Sequence, residues 1–109
     1  MGDQTPPTPF PWEPQPQEVA GTYRFDGRFV ATATVINDLG NDVVRALYFI
    51  AQRLVQEDDG IDYILAFKHR ETGKVVWMID QLNDDMKTSE SKEWVEEYNT
   101  CTLCYPSER

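Results

Sequence analysis

A small α+β domain is what this chain of 109 residues predicts. Three observations point to it. Apolar residues alternate with a two-residue period in three stretches, residues 28–36, 61–69 and 74–82. One stretch, Val43 to about Gln56, carries the apolar repeat of a helix. The length suffices for one domain and is too short for two. The expected order is β-β-α-β-β-α-β, a mainly antiparallel five-stranded sheet with two helices over residues 21–109. Residues 1–20 are expected to be a Pro-rich extended tail.

The elements follow in order. Six of the seven prolines fall within residues 6–16. Proline fixes φ and lacks a donor, so this stretch can form neither helix nor central strand, and polyproline II is expected. Phe10 and Trp12 are unusual in a linker and read either as folding back onto the domain or as docking anchors. Pro11-Trp12-Glu13-Pro14 has PxxP spacing, but no base flanks it as an SH3-type ligand would need. Thr22–Phe25, Asp26-Gly27 and Arg28–Ile36 read as a hairpin, because Asp-Gly suits a two-residue turn. Asn41 or Asp42 is the expected N-cap of the first helix. In that helix Val43, Leu47, Ile50 and Leu54 share a face, while Phe49 falls on the polar side. Phe49 is either covered by a neighbouring element or marks a contact surface. Gly60 suits a left-handed helix stop. Ile61–His69 and Lys74–Leu82 are apolar on much of both faces and are expected to be central strands. Thr88 to about Tyr98 reads as one acidic helix with Trp94 and Tyr98 one turn apart. Cys101–Tyr105 reads as a closing strand.

The net charge of −9 arises in two stretches. Residues 56–62 carry Glu57, Asp58, Asp59 and Asp62 with no base. Residues 80–97 carry Asp80, Asp84, Asp85, Glu90, Glu93, Glu96 and Glu97 against Lys87 and Lys92. The remaining positions balance. Acids at the end of the first helix oppose its dipole, so local stability does not account for Glu57, Asp58 and Asp59. Clustered acids attract basic surfaces and repel phosphates, which argues against direct nucleic-acid or anionic-membrane binding. No apolar run approaches the roughly 20 residues of a membrane helix. The start lacks a basic and apolar signal region, and Pro6 breaks the myristoylation pattern. A cytoplasmic protein is the expectation.

Catalytic motifs are weak. Cys101-Thr102-Leu103-Cys104 has CxxC spacing, but the helix that would activate a redox thiol does not follow it. A zinc site would need two more ligands, and His69 is the only histidine. Core or edge cysteines are expected. His69 lacks a nucleophile partner, and Ser89, Ser91 and Ser107 lack nucleophile-elbow glycines. Asp80, Asp84 and Asp85 could gather a divalent cation, yet Asp80–Glu90 lacks the calcium-loop pattern. The expectation is therefore no catalytic residue, no cofactor and no metal, with a solvated acidic face instead.

Residues 28–82 and 100–108 resemble small uncharacterised accessory proteins of phages and plasmids. The carriers are Arg28-Phe29-Val30-Ala31-Thr32, Asp62-Tyr63-Ile64-Leu65-Ala66-Phe67, Val75-Val76-Trp77-Met78-Ile79, and Thr102-Leu103-Cys104-Tyr105-Pro106-Ser107-Glu108. The acid-rich insertion at 84–97 departs from that pattern. The resemblance implies a mobile-element setting, in which small acidic proteins act as inhibitors that occupy nucleic-acid-binding surfaces.

The functional expectation is a non-enzymatic regulator or inhibitor that binds a protein partner with a basic surface. Glu57, Asp58, Asp59, Asp84, Asp85, Glu93, Glu96 and Glu97 are its candidate contact residues. A binding module or complex subunit with Phe10, Trp12 and Phe49 as apolar anchors is the alternative. A small divalent-metal-dependent enzyme around Asp80, Asp84 and Asp85 is a third reading.

Overall fold

A computed structural model describes residues 10–109. The first part of the expected tail, residues 1–9, lies outside the described residues. The strands are β1 (Trp12–Pro14), β2 (Arg28–Ala31), β3 (Ile64–His69), β4 (Val75–Asp80) and β5 (Thr100–Cys104). The helices are α1 (Ala33–Leu39), α2 (Asn41–Asp58), α3 (Asp84–Ser89) and α4 (Lys92–Tyr98), with a closing 3-10 turn at Pro106–Glu108. The fold is α+β with one five-stranded sheet in the order β1-β3-β4-β5-β2. Three pairings are antiparallel, and β2 runs parallel to β5, so the sheet is mixed.

The register sorts side chains to two faces. Leu65 pairs with Met78, Phe67 with Val76 and Met78 with Leu103. These buried residues join Val35 of α1 and Val44, Leu47, Ala51 and Val55 of α2 in one core. The α2 residues recur every three or four positions, as a helix lying on a sheet requires. Val75, Trp77 and Ile79 alternate to the opposite face. There Gln15, Gln17, Tyr63, Ala66 and Trp77 line a shallow cleft.

Several elements differ from the sequence expectation. The hairpin at 22–36 does not form. Tyr23 makes only isolated bridges, to Ile61 and Asn83, and Phe25 takes a left-handed conformation at φ 52°. Strand β2 stops at Ala31, because Thr32 turns into an N-cap and its hydroxyl accepts the Val35 N–H at 3.3 Å. Residues 33–39 are therefore helical despite their β-branched content. Buried Val35 and partly buried Ile36 and Leu39 supply the packing that overrides propensity. Helix α2 begins directly after Gly40, with no side-chain cap, so neither Asn41 nor Asp42 is its N-cap. Its stop is Asp59 at φ 55°, one residue before the expected Gly60. The acidic helix is two helices, capped by Asn83 and Ser91 and separated by the extended residue Glu90. The order thus becomes β-β-α-α-β-β-α-α-β, with four helices where two were expected.

Part of the tail also joins the sheet as β1. The Pro11 carbonyl accepts the Arg70 N–H, and the Gln15 N–H reaches the Ala66 carbonyl, both at 2.8 Å. The ladder therefore uses positions 11, 13 and 15. Pro14 falls on the outer edge, where its missing donor is not needed. Beyond Gln15 the Gln17 amide substitutes for backbone, donating to the Ile64 carbonyl at 3.1 Å and accepting the Asp62 N–H at 2.7 Å.

Candidate functional site

The two acidic stretches meet at Arg24. The turn after α2 delivers Asp59, and the first turn of α3 delivers Asp84. The Arg24 guanidinium lies between them, with Nη1 donating to Asp59 Oδ1 at 2.7 Å and Nη2 to Asp84 Oδ2 at 2.8 Å. Its Nε also donates to Asp84, which makes that pair a two-pronged one. The Arg24 hydrogen bond holds the Asp84 carboxyl below its ordinary range, and both acids push the guanidinium up. Asp59 remains 92% exposed on its side chain. The bridge holds one carboxylate of each cluster against the same guanidinium.

Backbone strain next door fixes where Arg24 stands. Phe25 is fully buried, and its left-handed backbone is uncommon for a residue with a bulky side chain. Its N–H donates to Asp80 Oδ2 at 2.9 Å, and its carbonyl accepts from the Gln52 side-chain amide. Asp80 belongs to β4 on the core face, opposite Cys101 of β5, and is 2% exposed. Its Oδ1 has no hydrogen-bond partner among the described residues. Desolvation raises the Asp80 carboxyl, against the opposing Phe25 N–H and the positive charge of Lys87. On the far side of Phe25, Asp26 accepts Lys87 Nζ at 2.7 Å and the Asn99 amide at 3.2 Å. Burial raises the Asp26 carboxyl, but these two bonds outweigh it and the net shift is downward.

Asp80 and Asp84 therefore act on stability with opposite signs. A carboxyl raised by folding stabilises when protonated, and that contribution is lost as pH rises through its folded pKa. A lowered carboxyl contributes above its unfolded pKa and loses that contribution on acidification. An Asp80→Asn chain, which cannot ionise there, is expected to gain in thermal midpoint on the parent chain over the pH range above the ordinary aspartate value of 3.8. Midpoints that run parallel across that range would remove Asp80 as the cause.

The predicted contact residues divide into three groups. Glu57 and Asp58 are exposed on the last turn of α2, Asp85 is exposed on α3, and Glu93, Glu96 and Glu97 are exposed on α4. None of these six forms an ion pair among the described residues. Asp59 and Asp84 are the pair that Arg24 joins. The aromatics separate differently. Trp12 is 6% exposed and stands edge-on to His69 with centroids 5.0 Å apart, so it serves the core. Phe10 is partly buried against that same core. Phe49 is 63% exposed beside Tyr48.

Arg24 itself carries no signal in the sequence. It is one base in an ordinary stretch, and its role arises only from two contacts distant along the chain. The buried state of Asp80 is equally hidden, since an acid ending a strand ordinarily faces water.

Other candidates have structural duties. His69 Nδ1 accepts the N–H groups of Glu71 and Thr72, at 3.1 and 3.2 Å, and so closes the β3–β4 turn. Cys101 and Cys104 are both buried and free, and burial pushes the Cys101 thiol up to about 12. Such a thiol stays protonated, the opposite of an activated one. Among the described residues, no group of three or more His, Cys, Asp or Glu side chains is placed to hold a metal ion. Asp80 points into the core while Asp84 is engaged by Arg24. No helix among the described residues is long and apolar enough to cross a membrane. No protein-family model matches the chain, and no curated protein or solved structure matches it either.

Proposed function

We propose that this protein is a non-enzymatic regulator or inhibitor that presents one acidic face to the basic surface of a protein partner. The observation that supports this reading is the Arg24 bridge between Asp59 and Asp84, which brings one residue of each acid cluster together. Glu57 and Asp58 beside Asp59, Asp85 beside Asp84, and Glu93, Glu96 and Glu97 on α4 stand exposed without an ion pair among the described residues. Asp85 and Glu93 also favour the first turns of their helices, and all six exposed carboxylates lower the energy of a cationic surface brought against them. The resemblance to phage and plasmid accessory proteins adds a setting: occupation of a partner's nucleic-acid-binding surface by a protein that copies its negative charge. Of the three predicted apolar anchors Phe49 is the one favoured, because Trp12 is committed to the core and Phe10 packs against it.

The test uses reversal of charge. A Glu57→Lys/Asp58→Lys chain is expected to bind a basic protein surface about tenfold more weakly at low salt, with most of the change in association rate. Both chains should also lose affinity as salt rises toward about 0.5 M. The measurement is surface plasmon resonance over a salt series, on an immobilised basic protein. Affinity that ignores both salt and the reversal would end the reading.

A further inference from the structure

Helix α4 is capped by Ser91 but buries little of its own surface within this chain. Its seven residues fall well short of the roughly 12–15 that an isolated helix needs in water. None of its side chains is buried. Yet it carries two large aromatics, Trp94 and Tyr98, whose ring centroids stand 5.0 Å apart at 45°. Trp94 is half-buried, and Tyr98 is 48% exposed. Glu93 and Glu97 occupy the neighbouring row of the helix, also one turn apart, and both are exposed.

We propose that the Trp94–Tyr98 face of α4 is the seat of an arginine side chain from the partner, stacked on the rings and paired with Glu93 and Glu97. The proposal rests on the acidic-face reading and names the chemistry that face selects.

Charge complementarity chooses a cation. Residues 84–98 hold Asp84, Asp85, Glu90, Glu93, Glu96 and Glu97 against Lys87 and Lys92, and Lys87 is already engaged by Asp26. Geometry then chooses between the two basic side chains. A guanidinium is flat and weakly hydrated, so it stacks on an aromatic face while its edge donates two parallel hydrogen bonds to a carboxylate. A lysine ammonium is compact and strongly hydrated, and it uses the rings less well. The chain contains one contact of this kind already, with the Arg109 guanidinium 5.5 Å from the centre of the Tyr63 ring.

The experiment compares oligoarginine and oligolysine peptides of equal length, titrated calorimetrically into the full chain at low salt. Oligoarginine is expected to bind about 3- to 30-fold more tightly, the span that a stacked guanidinium supplies. Trp94→Leu and Tyr98→Leu should each bring that ratio toward one and leave oligolysine affinity nearly unchanged. Both side chains lie outside the core, and far-UV circular dichroism checks that each variant folds. As a second readout, the Trp94 indole N–H resonance of the parent chain should shift with oligoarginine and hold with oligolysine. The Glu57→Lys/Asp58→Lys chain should lose affinity for both peptides alike. Equal binding of the two peptides, or an arginine preference that survives both aromatic substitutions, would overturn the proposal and leave the acidic face standing. Failure of both peptides to bind would remove the acidic-face reading together with it.

Discussion

Replacing Gly27 with alanine is expected to destabilise the fold by on the order of 3 kcal/mol or more, at the severe end for a single methyl group. A Cβ at this position would lie 2.0 Å from the Asn99 carbonyl oxygen and 2.5 Å from its carbon. Both are backbone atoms, so no side chain can swing away. The Asn99 carbonyl also receives the Arg28 N–H at 2.9 Å, the bond that opens the parallel pairing of β2 with β5. Relief of the clash must therefore pull that edge of the sheet apart. Urea denaturation of the Gly27→Ala chain, read at the fluorescence midpoint, measures the loss. A cost below about 1 kcal/mol would mean that the two segments do not approach as closely as this.

The second large effect is expected at Phe25. Truncation to alanine should cost about 3–5 kcal/mol, the usual penalty for emptying a buried aromatic site. The ring is fully buried, and it is what holds the residue in a left-handed backbone conformation that alanine also disfavours. Two bonds reinforce it, from its N–H to Asp80 and to its carbonyl from Gln52. Arg24 precedes this residue and Asp26 follows it, so both contacts to α3 depend on it. Affinity for an immobilised basic protein should fall in the Phe25→Ala chain even where circular dichroism reports a folded protein. A Phe25→Leu chain, which refills most of the volume, should recover much of both losses. Unchanged stability in Phe25→Ala would contradict the packing described here.

The difference between what the sequence predicted and what the chain does has a consistent physical origin. The central strands and α2 were legible because their apolar periods are long, and burial enforces them. Residues 22–39 were misread because each cue there was local. Asp26-Gly27 looks like a hairpin turn, yet Asp26 is held by Lys87 and Asn99, and Gly27 is there for a close backbone approach. Ala31-Thr32-Ala33-Thr34 looks like strand, yet one hydroxyl starts a helix at Thr32. The prolines were read correctly as excluding a central strand, while the spacing that permits an edge strand was overlooked. At the candidate site the acids were visible as a count. Their relation to one another was not, because it depends on one arginine bonded to carboxylates far away in the chain.

The place of β5 in the sheet bears on how this protein is made. Thr100–Cys104 lies between β4 and β2, with Arg28 paired to Thr100 and Asp80 to Cys101. While the ribosome is still translating the stretch before Thr100, β2 has no neighbour and β4 keeps one side open. The nascent chain therefore cannot complete its sheet step by step as it emerges, and it carries unpaired strand edges until residue 104 is out. A message cut short ahead of that point would release a chain lacking an interior strand, a species suited to proteolysis rather than to partial activity.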